Sequence, residues 1–400
     1  MLRNLQPKAK MMMCAILVAA LMVLMATMGL AAKELPPVKI GAAGPYTGDV
    51  SKIGLDGLNA IKMAVEEANA AGGIHGRRIE IVEADDAADP AKAIIVAEML
   101  AMDRNVIGVV GPMNSATVQA ALPTYQRAGL AIISQSATYP QLTEMGYNVM
   151  FRICPRDDAQ GPAAARFIVE ELKAEKIYII DDKTTYGQGL ADQVEPALKA
   201  AGVEVLRGQI DMADRDFSPI LTRVRAAEPD LVYLGLANPA QAASLIKQAA
   251  GLGLDVTFMG GDGLKEKDQL IDGSGGLAEG MYVTSIGKDI REVPEAEAFI
   301  EKFEGRYGAM SVFGGQSYEA ANILIDAARR AAEAASDPMA INRENVRKAI
   351  SETSGYRGIL GFPIGFDAKG DVVGASIFVY QVQNGEFVPV AEYSASVSGE

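Results

Sequence analysis

Small, hydroxyl-bearing and acidic residues are concentrated in five turns of this chain, each of which follows an apolar run. The turns cover residues 44–48, 111–115, 134–138, 181–187 and 260–263. Ligands of open parallel sheets bind beyond the carboxyl ends of the strands, so these turns are candidate site segments. Hydroxyls and helix N-termini in the first three can hold a carboxylate, and acidic residues in the last two can hold a cation. The pattern therefore predicts a site for a zwitterion.

Each candidate residue also has a structural interpretation. Ser115 and Thr138 are residue types that cap helix N-termini, and Asp262 lies between two glycines, where it could only shape a turn. Tyr186 is either a wall of the cleft or a core residue. Asp85-Asp86 lacks the alternating oxygen ligands of a calcium loop, which favours turn and capping roles, and His75 lies in a glycine-rich turn, which favours a solvated side chain.

Composition narrows the function classes. With 37 Lys and Arg against 51 Asp and Glu, the formal charge is −14 and no basic cluster occurs, which argues against a nucleic-acid partner. One histidine and two cysteines exclude zinc fingers, histidine-rich metal sites and triads built on more than His75. The sequence contains no G-x-G-x-x-G, phosphate-binding loop or G-x-S-x-G motif. We therefore expect a binding protein with no catalytic residue, no metal and no cofactor.

The N-terminal segment has the pattern of an export signal. Arg3, Lys8 and Lys10 precede an apolar run over 11–30, which ends in small residues. We predict a signal peptide over 1–31 that is removed on secretion. A membrane anchor is the alternative, because twenty apolar residues can span a bilayer.

From residue 37 the chain alternates short β-rich runs with amphipathic helical patterns. Two successive series of such units predict an α/β fold with two doubly wound parallel-sheet lobes. The pattern changes near 294: three helical segments follow, and 372–381 and 387–393 then alternate like antiparallel strands. No flexible linker separates the lobes, so we expect a multi-strand hinge.

Several segments together resemble a known family. They are Val38-Lys39-Ile40-Gly41, the run from Gly72 to Pro90, Arg152 with Asp158-Ala159-Gln160-Gly161-Pro162, Asp182-Lys183 with Tyr186-Gly187-Gln188-Gly189, and Phe258-Met259-Gly260. With the export signal, they resemble the periplasmic leucine/isoleucine/valine-binding proteins over nearly the whole chain after residue 36. The resemblance implies a type I periplasmic-binding fold that closes like a Venus flytrap on its ligand and delivers it to an inner-membrane ABC permease. We expect a monomer with lobe 1 over 37–152 plus 286–373 and lobe 2 over 153–285 plus 374–400.

The resemblance also implies individual site residues. The family residues that bind the carboxylate and ammonium groups of the amino acid match Ser115, Ser136 and Thr138 in this chain, with Ser136 acting largely through its backbone. Ala137 lines the same pocket. Tyr186 matches a cleft tyrosine, Asp262 stands where the family has a glutamate that pairs with the ammonium, and Phe313 matches an aromatic wall. Ile53 and Ala237 replace two family tyrosines, and Tyr46 and Tyr139 are further candidates for the wall.

These departures make the side-chain end of the pocket apolar and roomy. We expect a neutral hydrophobic amino acid as ligand, branched-chain or aromatic. The alternative is a receptor or sensor for another small carboxylate or amide ligand.

Overall fold

The structure is a computed structural model, which describes residues 35–337, 339 and 341–395. The predicted signal peptide lies outside the described residues. Within the described part, no helix combines the length and the apolar character that a membrane crossing requires.

The first lobe is built on a five-stranded parallel sheet with the order β2-β1-β3-β4-β5. Its strands are β1 (Val38–Gly44), β2 (Ile79–Asp85), β3 (Val106–Val110), β4 (Ile132–Ser134) and β5 (Met150–Arg152). Every residue of β3 is buried, and Val109 and Val110 belong to apolar clusters on opposite faces of the sheet. Continuous apolar runs are typical of parallel strands that are covered by helices on both faces.

The second lobe is built on a seven-stranded sheet with the order β12-β11-β10-β9-β8-β6-β7. Its strands are β6 (Lys176–Asp181), β7 (Glu204–Gln209), β8 (Leu231–Gly235), β9 (Thr257–Gly260), β10 (Tyr282–Ser285), β11 (Ser376–Gln383) and β12 (Glu386–Ser394). The pairs from β7 to β10 are parallel, whereas β11 pairs antiparallel with both β10 and β12. The predicted antiparallel pattern near the C-terminus is therefore an edge hairpin of this sheet.

Eleven α-helices within the described residues cover the sheets. They are α1 (Ser51–Ala70), α2 (Pro90–Met102), α3 (Ser115–Ala128), α4 (Gln141–Glu144), α5 (Asp157–Glu170), α6 (Thr185–Ala200), α7 (Ser218–Ala227), α8 (Pro239–Gly251), α9 (Glu297–Tyr307), α10 (Gly314–Ala335) and α11 (Arg343–Ser351). One short helical turn, Asp262–Leu264, follows β9, and another, Ile290–Glu292, lies in the connection that follows β10.

The chain returns to the first lobe after building most of the second. Helix α10 packs on α1, and its Leu324 lies in the core that covers β1 and β3. A Cβ at Gly108 in β3 would lie 2.5 Å from Leu324 Cδ1, so the glycine allows this helix to approach the strand. Strands β11 and β12 then rejoin the second sheet. The described chain consequently passes between the lobes three times, near 153–156, 286–296 and 373–375.

Two strand boundaries differ from the sequence prediction for physical reasons. The strand predicted to begin at 372 begins at Ser376, because Val372 pairs with Phe366 in the first lobe and Gly374 adopts a positive φ of 78°. Strand β5 was not predicted, because its three residues include the charged Arg152. This arginine is fully buried, with its Nε 2.5 Å from Asp371 Oδ1, so its charge is compensated inside the lobe.

Candidate functional site

A cavity lies between the two lobes at the carboxyl ends of the strands. It holds about 470 Å³ of open space, counted to its mouth. Its lining residues are Val50, Ile53, Met113, Asn114, Ser115, Ser136 and Phe313 from the first lobe, and Tyr186, Ala237, Asp262 and Gly263 from the second. They follow strands β1, β3, β4, β6, β8 and β9, or precede α10. Binding beyond strand ends is the general rule for this fold class.

The first lobe presents hydrogen-bond donors to the cavity. Ser115 is the first residue of α3, and the preceding Asn114 makes no side-chain capping bond, so the first-turn N–H groups of the helix are available to an anion. The Ser115 hydroxyl accepts a hydrogen bond from the Tyr139 amide at 3.3 Å, and the Ser136 hydroxyl donates to the Met113 carbonyl at 3.0 Å. These bonds fix the turns after β3 and β4 against each other. This end of the cavity is suited to a carboxylate.

The second lobe presents an acidic group. Asp262 Oδ1 accepts hydrogen bonds from the Tyr186 hydroxyl and from Gln160 Nε2, both at 2.8 Å. The Tyr186 oxygen in turn accepts a bond from the Gly263 amide at 3.0 Å. A Cβ at Gly261 would lie 2.4 Å from that oxygen, so the residue before Asp262 must be small for the tyrosine to reach it. The Asp262 carboxyl thus lines the cavity and is held by hydrogen bonds from two side chains, so its contacts go beyond those of a turn residue.

The electrostatics of Asp262 favour a cationic partner. Only 2% of the residue is exposed, and burial raises the pKa of its carboxyl to about 7, although the bond from Tyr186 opposes this rise. No salt bridge to Asp262 occurs within the described residues. A buried carboxylate without a cation is costly, and an ammonium group brought by a ligand would remove that cost.

Apolar side chains form the remaining walls. Ile53, Met113 and Phe313 belong to one buried cluster between the lobes. Of the described lining residues, Asp262 alone carries a formal charge. Ala237 contributes only a methyl group, and its amide donates to Asp182 Oδ2 at 2.7 Å, which fixes the loop after β8. The walls therefore suit an uncharged, apolar ligand side chain.

Four of the predicted site residues are not part of the lining: Ala137, Thr138, Tyr46 and Tyr139. Ala137 and Thr138 are fully buried behind the lining. Arg152 Nη1 donates hydrogen bonds to the carbonyls of Ala137 and Tyr139, both at 2.9 Å, and these bonds hold the segment inside the lobe. Tyr46 packs on the core of the first lobe, and its amide donates to Asp85 Oδ1 at 2.8 Å. The other seven, Ser115, Ser136, Tyr186, Asp262, Phe313, Ile53 and Ala237, lie together around the cavity.

The structural interpretations of other candidates have mixed outcomes. Asp85 accepts bonds from Tyr46, Thr47 and Ala87, which is the turn role that its spacing favours. His75 occupies a turn with a φ of 49°. Neither Ser115 nor Thr138 is a helix N-cap in the structure: Asn114 precedes α3, and Thr138 precedes α4 by three residues.

Sequence reasoning missed one lining residue and the residues that support the site. Val50 lies outside the five polar turns, whereas Met113, Asn114 and Gly263 lie within predicted turns but were not singled out. Gln160 and Asp157 are buried at the start of α5, behind Asp262. They follow a short strand that the apolar pattern did not reveal.

A wider, charged groove lies beside the connection at 286–296. It holds about 1260 Å³, and its charges largely neutralise one another: Lys265 pairs with Asp289 at 2.5 Å, and Lys267 pairs with Glu386. Its lining includes none of the predicted site residues. We therefore take the smaller cavity, where an unpaired acid faces a helix N-terminus, as the functional site.

The two lobes touch around this cavity. The Tyr139 ring approaches α6 so closely that a Cβ at Gly189 would lie 2.7 Å from it. The Thr185 hydroxyl donates to Gln119 at 3.3 Å, and Glu266 accepts a bond from the Val312 amide at 3.2 Å. The two lobes are thus in direct contact beside the site.

Comparison with known proteins agrees with this geometry. A family model described as periplasmic binding protein matches residues 37–386. An amino acid binding protein of Pseudomonas aeruginosa is 40% identical over 314 residues, covering 78% of this chain and 83% of its own. A leucine-, isoleucine-, valine-, threonine- and alanine-binding protein of the same organism is 33% identical over 346 residues, covering 86% and 89%.

Solved structures show the same architecture. A leucine binding protein from Thermotoga maritima is 26% identical with a TM-score of 0.81, covering 89% of this chain and 99% of that one. A branched-chain amino acid transporter substrate-binding protein from Streptococcus pneumoniae, solved with isoleucine, is 27% identical with a TM-score of 0.78, covering 88% and 100%. The resemblance inferred from the sequence is confirmed, and the chain belongs to the periplasmic binding protein family.

Proposed function

We propose that this protein is the receptor of an amino-acid ABC importer and binds a neutral hydrophobic amino acid, branched-chain or aromatic, between its lobes. The observation that carries the proposal is the position of Asp262 across an apolar cavity from the N-terminus of α3. A carboxylate at one end and an ammonium group at the other satisfy both polar groups at once. The uncharged walls favour an apolar side chain between them.

The named relatives support the amino-acid assignment. The Pseudomonas protein at 33% identity is named for leucine, isoleucine, valine, threonine and alanine, and the Streptococcus structure contains isoleucine. In this chain Ile53 and Ala237 contribute no hydroxyl to the cavity, and Phe313 offers an aromatic face. Aromatic faces accept both branched and ring-bearing side chains.

The proposal includes how the receptor works. The two lobes can contact the ligand at the same time only when the protein is closed. Ligand binding therefore shifts the equilibrium between the open and closed forms toward the closed form. The moving lobes are 37–152 plus 286–373 and 153–285 plus 374–400, with the three crossings as hinge. The closed complex is delivered to an inner-membrane permease from the periplasm, which the N-terminal export pattern supports. One chain suffices, since both halves of the site come from it, and the ligand leaves chemically unchanged.

Competition calorimetry with Leu, Val, Phe, Glu and Arg tests the proposal. We expect the tightest of Leu, Val and Phe to bind at least about 100-fold more tightly than Glu or Arg, because an extra charge would be buried without a partner. Mass spectrometry of the recovered ligand should show an unchanged mass. Tighter binding of Glu or Arg, or no binding of any amino acid, would contradict the assignment.

A further inference from the structure

A second carboxyl lies behind Asp262 and has no role in the contacts described so far. Asp157 is fully buried at the start of α5. Its Oδ1 is 3.4 Å from Gln160 Nε2, the same amide group that donates to Asp262 Oδ1 at 2.8 Å. Its Oδ2 has no hydrogen-bond partner among the described residues. One amide group therefore links two buried carboxyls, and one oxygen of the inner carboxyl lacks a donor.

The groups around Asp157 do not supply a compensating charge. Arg152 is the nearest cation, but its guanidinium is engaged by Asp371 and by the carbonyls of Ala137 and Tyr139. Asp158 is bound to Arg156 at 2.6 Å. Cys154, Tyr186 and Tyr233 are neutral, since burial raises the pKa of each above its ordinary value. Asp262 is the remaining neighbour, and it has the same sign of charge.

Two neighbouring buried carboxyls without a cation cannot both be ionised at modest cost. Asp262 Oδ1 accepts two hydrogen bonds, which stabilise its ionised form, whereas Oδ2 of Asp157 accepts none. A proton on that Oδ2 converts an acceptor without a donor into a donor, and the neighbouring Thr138 hydroxyl oxygen, which also lacks a partner, can accept it. The helix N-terminus at Asp157 favours the anion, but it is a weaker influence than complete burial.

We propose that Asp157 is a neutral carboxylic acid at physiological pH, which leaves Asp262 as the only anion at the ammonium end of the site. The inference rests on the proposed function where it concerns the ligand, and it specifies the ligand class as one that carries a single ammonium group. Burial and the charge of Asp262 raise the pKa of Asp157 to about 8, although the Thr138 hydroxyl and the charge of Arg152 oppose the rise, and this agrees with the arrangement. Asp157 is not among the residues that line the cavity.

The ligand-free protein provides a test that does not depend on the ligand. A carboxyl with a pKa near 4 when unfolded and higher when folded destabilises the fold progressively as pH rises between those two values. Asp157→Asn keeps the shape of the neutral acid and cannot ionise. The melting temperature of this variant should equal that of the wild type near pH 4, exceed it by several degrees at pH 8, and keep that advantage above pH 8.

Asp158→Asn is the matched control, because it changes the adjacent carboxyl, which already has an arginine partner. It should not raise the melting temperature at pH 8. If Asp157→Asn shows no advantage that grows with pH, Asp157 is ionised in the native protein and the proposal is wrong.

Binding of L-leucine separates this inference from the proposed function. At pH 7 we expect Asp157→Asn to bind leucine within about threefold of the wild type. A loss as large as that of an Asp262 variant would show that Asp157 is a second anion of the site and would overturn the inference. If the wild type does not bind leucine or any other amino acid, the proposed function fails, and the melting experiment still decides the state of Asp157.

Discussion

Asp262→Asn should weaken binding of the preferred amino acid by about 30-fold to several thousandfold while leaving the fold intact. Truncating or neutralising one partner of a desolvated charge pair typically costs about 2–5 kcal/mol, much of it from the ammonium left without a partner. The asparagine can still accept the bond from Tyr186, so the loop after β9 keeps its position. Calorimetric titration at pH 8, where wild-type Asp262 is mostly ionised, measures the effect.

Although Asp262→Asn should lose ligand affinity, we expect it to lose no folding stability. Because burial raises the pKa of Asp262 to about 7, its ionisation costs stability as pH rises toward that value, and the neutral variant avoids this cost. Thermal unfolding without ligand should therefore show Asp262→Asn at least as stable as the wild type at pH 8. Asp255→Asn, the same change at an exposed position of the second lobe, is the control and should alter neither quantity. If Asp262→Asn bound the ligand as tightly as the wild type, Asp262 would have only a structural role in its turn, and the ligand-binding assignment would be wrong.

Gly189→Val should weaken ligand binding by about 5-fold to 150-fold, because it destabilises the closed form of the protein and not the open form. Gly189 faces the Tyr139 ring across the lobe interface, and even a Cβ there would lie 2.7 Å from the ring. Overfilling a packed contact typically costs about 1–3 kcal/mol, and this cost arises only when the lobes close. Calorimetry with the preferred amino acid measures the loss of affinity. The melting temperature without ligand should not fall, because valine is no worse than glycine within a helix.

The double variant Gly189→Val with Tyr139→Ala tests whether the contact itself is responsible. Removing the ring gives the valine space, so the double variant should bind more tightly than Gly189→Val alone and should show a coupling energy between the two positions. Strictly additive losses would mean that the two residues do not meet in the ligand-bound form. That result would contradict closure by this interface.

The fold could be predicted from the sequence because most of its strands are apolar runs and most of its helices are amphipathic. Val106–Val110 and Leu231–Gly235 are fully buried strands, and their apolar character is evident from the sequence. Strand β5 could not be found in this way, since Arg152 interrupts its pattern and is buried only because Asp371, more than two hundred residues later, compensates its charge. Pairings over such separations depend on the tertiary fold.

The site could be predicted in part because ligand contacts in this fold class lie after the strands. Ser115, Ser136, Tyr186 and Asp262 were reached from the polar turns and line the cavity. Thr138 occupies such a turn as well, yet Arg152 draws that segment into the lobe. Asp157 and Gln160 were not assigned a role from the sequence. They matter because they lie behind Asp262, and this is a tertiary contact that residue spacing cannot predict.

The crystal structure of the protein with L-leucine, or with whichever neutral hydrophobic amino acid binds most tightly, tests the central claim most directly. We predict electron density for one ligand between the lobes, with its ammonium group within hydrogen-bond distance of Asp262 and its carboxylate at the N-terminus of α3 beside Ser115. Its side chain should contact Ile53 and Phe313. A ligand located in another cavity, or bound here with its ammonium group away from Asp262, would contradict the account.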